Sequence, residues 1–333
     1  MHDIIVIGAS AGGIEACHQL LKLLPSDIRA SIFIVVHVSP RSPSVLAQIF
    51  GRGVQLPVKN PTDGESMERG RVYVAPANHH LILKPGVIRL GRGPQEHGSR
   101  PSVDALFRTA AFAYGERVIG IILSGSLSDG TAGLMSIKAS GGIAIVQKPE
   151  EATFPSMPRS ALEFVRVDYV LGIADIAKEL IKLTGNSAAK SHPEERIDKE
   201  SYVHEFGAAG LREGMSGIPS YLTCPSCGGA LWETNVDRFK EFKCHVGHSF
   251  TPETLLQQQA DAIDTAFWRN LRRLEENIAL RKKLASWARE ENKGSEADRQ
   301  EAQAELARRQ ADSIRQALLT DVASLSDPAE LTD

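Results

Sequence analysis

The sequence predicts an α/β fold: a doubly wound, mostly parallel sheet with an inserted antiparallel hairpin, followed by a small cysteine-bearing module and an α-helical hairpin. Three observations carry this prediction. Over residues 3–185, short continuous apolar runs alternate with helical stretches, as expected of parallel strands covered on both faces by crossover helices. Three of the four cysteines crowd between positions 224 and 244. After Pro252 the composition turns rich in Ala, Leu, Glu, Arg and Gln, with an apolar stripe at helical spacing.

Taken in order, Ile4-Ile5-Val6-Ile7 reads as a strand buried on both faces. A small-residue turn follows, then a helix over residues 14–24. Ile32-Phe33-Ile34-Val35-Val36 is a second buried strand. Residues 55–90 break the rhythm. Arg71-Val72-Tyr73-Val74-Ala75-Pro76, Leu81-Ile82-Leu83 and Val87-Ile88-Arg89-Leu90 are short and separated by turn residues, so they read as antiparallel hairpins on the sheet edge. Helices are expected over 103–114 and 131–139, and strands over 118–123 and 142–146. The expected domains are 1–185, a polar linker 186–219, a cysteine module 220–251 and a helical hairpin 252–333. In the last, Ile263, Phe267, Leu271, Leu274, Ile278 and Leu284 make one stripe, and Leu306, Ile314 and Leu318 make the next.

With 333 residues, 42% hydrophobic and 24% charged, the chain is not a disordered one. Lys plus Arg number 38 against 41 Asp plus Glu, a net charge of −3, so no basic nucleic-acid footprint shows at whole-chain level. Four cysteines do not make a secreted disulfide scaffold at this length. No apolar run is long enough to span a bilayer, and the N-terminus lacks signal-peptide features. The expectation is a cytoplasmic protein without membrane insertion or a nucleic-acid partner.

The first strand runs into Gly8-Ala9-Ser10-Ala11-Gly12-Gly13. A dinucleotide loop needs Gly where Ser10 stands, which weakens that reading at its most demanding position. The alternative, Gly-x-Ser-x-Gly, is a sharp strand-to-helix turn that presents a hydroxyl, with helix N–H groups ready for a developing oxyanion. The bland alternative is a plain βα turn. His37 follows the second strand, at the sheet end where open α/β folds place their crevice. It is a candidate base for Ser10, or else a histidine that merely ends a strand. His2, His79, His80 and His97 fit that role less well, since none ends a buried strand. Asp129, in Leu123-Ser124-Gly125-Ser126-Leu127-Ser128-Asp129-Gly130, follows another buried strand. It is either the acid that orients His37 or an N-cap of the next helix. The chain order Ser, His, Asp differs from that of α/β-hydrolases.

Four stretches, in order and at matching intervals, resemble the catalytic domain of the chemotaxis protein-glutamate methylesterases, the CheB family. They are Ile7 with the Ser10 loop, Pro101-Ser102-Val103-Asp104-Ala105-Leu106-Phe107, residues 123–133, and Ser156-Met157-Pro158-Arg159-Ser160-Ala161. The resemblance covers about residues 1–185. It implies a Ser–His–Asp hydrolase of γ-glutamyl methyl esters on methyl-accepting chemoreceptors, with glutamine deamidation in many members and no catalytic cofactor. The nucleophile then falls on Ser10, the base on His37 and the acid on Asp129. Amides at Ala11, Gly12 and Ser126 are the expected oxyanion donors. Arg100 and Arg108 are candidates for meeting acidic receptor surfaces, or else solvated surface charges. Some members carry Thr at the position of Ala11 and many carry Met at that of Ser126, the latter tolerable if a backbone N–H is the donor. The usual N-terminal receiver domain is not expected here, because the catalytic pattern starts at residue 3. The alternative function is a methylesterase-like scaffold that binds other chemosensory proteins through its C-terminal modules.

Cys224-Pro225-Ser226-Cys227, sixteen residues, then Cys244-His245-Val246-Gly247-His248 has the spacing of a structural zinc ribbon. The predicted ligands are Cys224, Cys227, Cys244 and His248, with His245 the less favourable fourth. A redox Cys-x-x-Cys would need a βαβ context that this segment lacks. The helical tail suits a partner helix or a homo-oligomer, or it packs only on itself. Cys17 is expected as a buried thiol.

Overall fold

The computed structural model describes residues 2–185, 217–236 and 238–320. Residues 186–216 of the expected linker lie outside the described residues. The chain divides into two compact units, Met1–Thr254 and Leu255–Asp333.

The first unit begins β1 (Ile4–Ala9), α1 (Gly13–Lys22), β2 (Ser31–Val36), α2 (Leu46–Phe50), β3 (Val58–Lys59) and β4 (Glu65–Ser66). It continues β5 (Arg71–Val74), β6 (His80–Lys84), β7 (Val87–Gly91), α3 (Val103–Tyr114), β8 (Val118–Ile122) and α4 (Thr131–Ala139). Then come β9 (Ile143–Gln147), α5 (Ser156–Phe164), β10 (Tyr169–Leu171) and α6 (Ile173–Gly185). The main sheet has the order β10-β9-β8-β1-β2-β5-β3, and each pair is parallel. The chain first winds outward from β1 through β2, then returns to β8 on its other side. That reversal is a topological switch point, and open α/β sheets place their crevice at the carboxyl ends of the strands there.

Strand alternation divides the apolar residues between two cores. Ile5 and Ile7 of β1, with Ile32 and Ile34 of β2, pack with Cys17, Leu20 and Leu21 of α1 and with Ile176 and Leu180 of α6. Ile4, Val6, Phe33 and Val35 face Leu106 and Phe107 of α3, Leu134 of α4 and Met157 of α5. Cys17 is fully buried, as expected.

One expectation is corrected. The run Arg71–Val74 is not an edge hairpin. It is β5, paired in parallel with β2 from Ser31↔Arg71 to Ile34↔Val74. Tyr73 is buried and stacks on Phe33 with ring centroids 5.3 Å apart. A four-residue strand between turn residues has the same signature whether it pairs parallel or antiparallel, and only the long-range partner decides. β6 and β7 do pair antiparallel, but with β4 they form a separate three-stranded sheet. Leu81, Leu83 and Ile88 of that sheet join the core under α3.

After the undescribed segment come β11 (Ile218–Thr223), β12 (Ala230–Val236), β13 (Phe239–Cys244) and β14 (Ser249–Phe250), an antiparallel sheet in that order. This module belongs to the first unit. Phe239 of β13 meets Phe164 of α5 edge-on, with centroids 5.2 Å apart.

The second unit is an antiparallel helix pair, α7 (Pro252–Glu290), whose first residues belong to the first unit, and α8 (Gly294–Thr320). Arg315 pairs with Glu275 and Arg289 with Glu301, each at 2.8 Å. Ala285, Ala288 and Ala297 let the backbones approach at the closed end. Asn292, at φ 59°, ends α7 in the left-handed region, and the Lys293 N–H donates back to the Ala288 carbonyl. Among the described residues no helix is long and apolar enough to cross a membrane.

Candidate active site

β1 and β2 end in register at Ala9↔Val36, and the His37 N–H donates to the Ala9 carbonyl at 3.2 Å. Ser10 and His37 therefore leave adjacent strand ends, about 4.8 Å apart in the pairing direction. The Ser10 N–H donates to Ser124 O at the end of β8, 3.0 Å away. The Ser124 hydroxyl donates to Ala11 O at 2.8 Å and closes the turn. Gly12 has φ 70°, and a Cβ there would lie 2.8 Å from that hydroxyl, so the sharp turn into α1 requires glycine.

Asp129 sits on the loop after β8, 2% exposed. Its Oδ2 accepts from His37 Nε2 at 2.7 Å and from the Val103 N–H at 2.8 Å. Its Oδ1 accepts from the Ser102 hydroxyl and the Asp104 N–H, both at 3.0 Å. Three of these four donors belong to the first turn of α3, which Ser102 caps. Burial alone would raise the Asp129 pKa. The His37 hydrogen bond and charge, the His97 charge and the Val103 N–H outweigh it and hold the carboxyl well below its usual range. The N-cap position of α4 is Gly130, without a side-chain cap, so Asp129 does not serve that helix. It binds the start of α3 instead.

Because Asp129 takes Nε2 of His37, Nδ1 is the ring nitrogen left for a serine. No Ser10–His37 hydrogen bond forms among the described residues, which is common before substrate tightens a site. Gly125 backs onto Ser10: a Cβ there would lie 3.0 Å from Ser10 Cβ and 2.0 Å from Met157 Sδ. Among the described residues the amides of Ala11, Gly12 and Ser126 have no intramolecular acceptor. Such N–H groups are of the type that can receive a developing oxyanion.

Both arginines are engaged within the fold. Arg100 donates to Asn78 Oδ1 at 2.9 and 2.7 Å, to Arg92 O at 3.1 Å and to Gly93 O. Arg108 pairs with buried Glu96 at 2.8 Å. Their place in a Pro-Ser-Val-Asp segment gave no hint of these loop acceptors, which come from residues folded back from β6 and β7.

This strand-end Ser, His and buried Asp lie within residues 5–180, which match the family model described as CheB methylesterase. The chain belongs to the CheB methylesterase family. A Leptospira interrogans relative is 42% identical over 187 residues, 56% of this chain and 97% of its own. The "Protein-glutamate methylesterase/protein-glutamine glutaminase 2" of Anaeromyxobacter dehalogenans is 38% identical over 182 residues, 55% of this chain and 53% of its own. The crystal structure of the Thermotoga maritima CheB methylesterase catalytic domain superposes with a TM-score of 0.53 at 34% identity, over 55% of this chain and 99% of that one.

Outside the CheB methylesterase domain, Cys224, Cys227, Cys244 and His248 bring their donor atoms within 4.8 Å of one another. A tetrahedral zinc with bonds of about 2.3 Å to sulfur and about 2.0 Å to nitrogen spaces its ligands about 3.5–3.8 Å apart. Here the Sγ atoms of Cys227 and Cys244 are 3.7 Å apart, and His248 Nδ1 is 3.5 Å from Cys244 and 3.7 Å from Cys224. Backbone N–H groups of Ser226 and Cys227 point at Cys224, and that of Gly229 at Cys227. The donor set fits zinc. His245 turns away and lies against Trp232, centroids 4.1 Å apart.

Sequence reasoning missed the residues that hold Asp129. Ser102 and Asp104 had a usable signal, since Ser-Val-Asp before a helical run marks a helix start with unpaired N–H groups. His97 had none. It lies in a loop and is joined to Asp104 only by folding, with its Nε2 2.9 Å from Asp104 Oδ2.

Proposed function

We infer that this chain is a serine hydrolase that removes methyl esters from glutamyl side chains of chemoreceptors. The 2.7 Å His37–Asp129 bond, beside Ser10 at the strand ends, carries this reading. His37 Nδ1 takes the Ser10 proton as Oγ attacks the ester carbonyl. The amides of Ala11, Gly12 and Ser126 receive the oxyanion. As the intermediate collapses, His37 returns the proton to the leaving oxygen and methanol departs. Water then repeats the cycle on the acyl-enzyme and frees the glutamate carboxylate and Ser10. Each proton transfer contributes typically ~10²–10⁴-fold. The same steps on a glutaminyl amide release ammonia, and the names of the relatives support that second substrate. The receptor as substrate puts the protein in the cytoplasm.

Zinc held by Cys224, Cys227, Cys244 and His248 supplies a structural staple and takes no part in the chemistry, since four protein ligands leave no open position. The test is methanol release on incubating the purified chain with a methylated chemoreceptor. Wild type releases methanol and Ser10→Ala, equally folded, does not. Equal release by both removes Ser10 from the reaction.

A further inference from the structure

The cysteine-bearing module touches the catalytic part of the first unit at two places that bear on the chemistry. The His97 N–H donates to Ser249 O of β14 at 2.7 Å, and Glu96 forms a β-bridge with Ser249. The His97 ring is 1% exposed, with Nε2 2.9 Å from Asp104 Oδ2 and 3.6 Å from Glu241 Oε1 of β13. On the other side of Asp129, the Ser128 hydroxyl donates to Thr251 Oγ1 at 3.1 Å. The segments on both sides of the acid are therefore fastened to β13, β14 and the residue after β14.

His97 and Leu127 both adopt left-handed φ, 50° and 65°. Buried or half-buried side chains keep such backbone only where the surroundings over-determine it, and such positions cluster at functional sites. His97 reaches Asp129 through Asp104. The Asp104 carboxylate accepts from His97 Nε2 and from the Gly133 N–H at 2.5 Å, which fixes the start of α3 against α4. The Asp104 N–H in turn holds Asp129 Oδ1.

We propose that Glu241 and Thr251 of the cysteine-bearing module are positioning residues of the hydrolase, acting through His97–Asp104 and through Ser128 to hold Asp129 in place for His37. Burial would lower the His97 pKa, but the hydrogen bond and charge of Asp104, with the charges of Asp129 and Glu241, hold it at about 9. At neutral pH an imidazolium thus bridges carboxylates from α3 and β13. Lys243, 3.3 Å from Glu241 Oε2, is the neighbouring cation. This places the module in the catalytic apparatus by position, without contact with substrate. A small displacement of a catalytic group costs up to roughly 100-fold in rate.

The inference rests on the serine-hydrolase reading, and its test separates the two. Full-length wild type, Glu241→Ala, Thr251→Val, His97→Ala and His97→Gln are titrated with a fluorophosphonate to count competent sites. Methanol release from a methylated receptor then gives kcat per titrated site and KM. Per site, Glu241→Ala and Thr251→Val are expected to lose ~3–10-fold in kcat and His97→Ala ~10–100-fold, with KM unchanged. His97→Gln, which keeps a donor for Asp104, restores most of the loss. A merely structural contact lowers the number of competent sites and leaves kcat per site alone. That outcome, in a wild type that reacts with the probe, overturns the inference only. A wild type that neither reacts nor releases methanol overturns the hydrolase reading and the inference with it.

Discussion

The residue that governs the site is Asp129. It is buried, ionised and saturated by donors, so its function is set by what holds it. Asp129→Asn exchanges one acceptor oxygen for an amide facing N–H donors and removes the charge opposite His37. The expected loss is roughly 10⁴-fold in kcat, read as methanol release, with little change in KM. His97 makes a second prediction. Its pKa lies at about 9 against an ordinary 6.5, through Asp104, Asp129 and Glu241. A raised value means that stability is fully present below pH 6.5 and is lost as pH rises through about 9, roughly 3 kcal/mol for this side chain. Urea midpoints should fall from about pH 7 to about pH 10 in wild type and fall less in His97→Gln. Ser10, His37 and Asp129 were legible as candidates because each follows a buried apolar run, and strand ends are where such folds bring side chains together. Arg100 and His97 were not, because their loops have no period to say which neighbours they meet.

At the scale of elements, boundaries were readable where caps and apolar periods agree. The run from Val103 to Tyr114 is a helix because Ser102 caps it and alanines, with Leu106 and Phe107, fill its buried face. β5 was misplaced because Val72 and Val74 are as suited to an edge as to an interior, and the run is short and bounded by turn residues. The burial of Tyr73 against Phe33 is a property of the assembled sheet. The glycines that let elements approach offer a test. A Cβ on Gly8 of β1 would lie 2.1 Å from Val103 Cγ1, on the residue whose N–H holds Asp129. Gly8→Ala should push α3 off the strand, costing about 1–3 kcal/mol in urea unfolding. It should also lower methanol release per folded molecule. Unchanged turnover would mean that the start of α3 tolerates movement.

For the whole molecule, the sequence divides into a hydrolase domain, a cysteine module and a helical pair, and the first two meet in one compact unit. Composition and spacing revealed the metal-ligand pattern but not where the module packs, because Ser249, Thr251 and Glu241 carry no signal of their distant partners. One zinc per chain is expected by elemental analysis of protein purified without chelator, and Cys244→Ser should lose it. Full zinc content in that variant contradicts the ligand set.

The central claim, a serine nucleophile at position 10 driven by His37, is tested most directly by mass spectrometry after fluorophosphonate treatment. The account predicts a single adduct on the peptide containing Ser10, absent in Ser10→Ala and slow to form in His37→Gln. A wild-type chain that takes no label, or an adduct that survives Ser10→Ala, contradicts it.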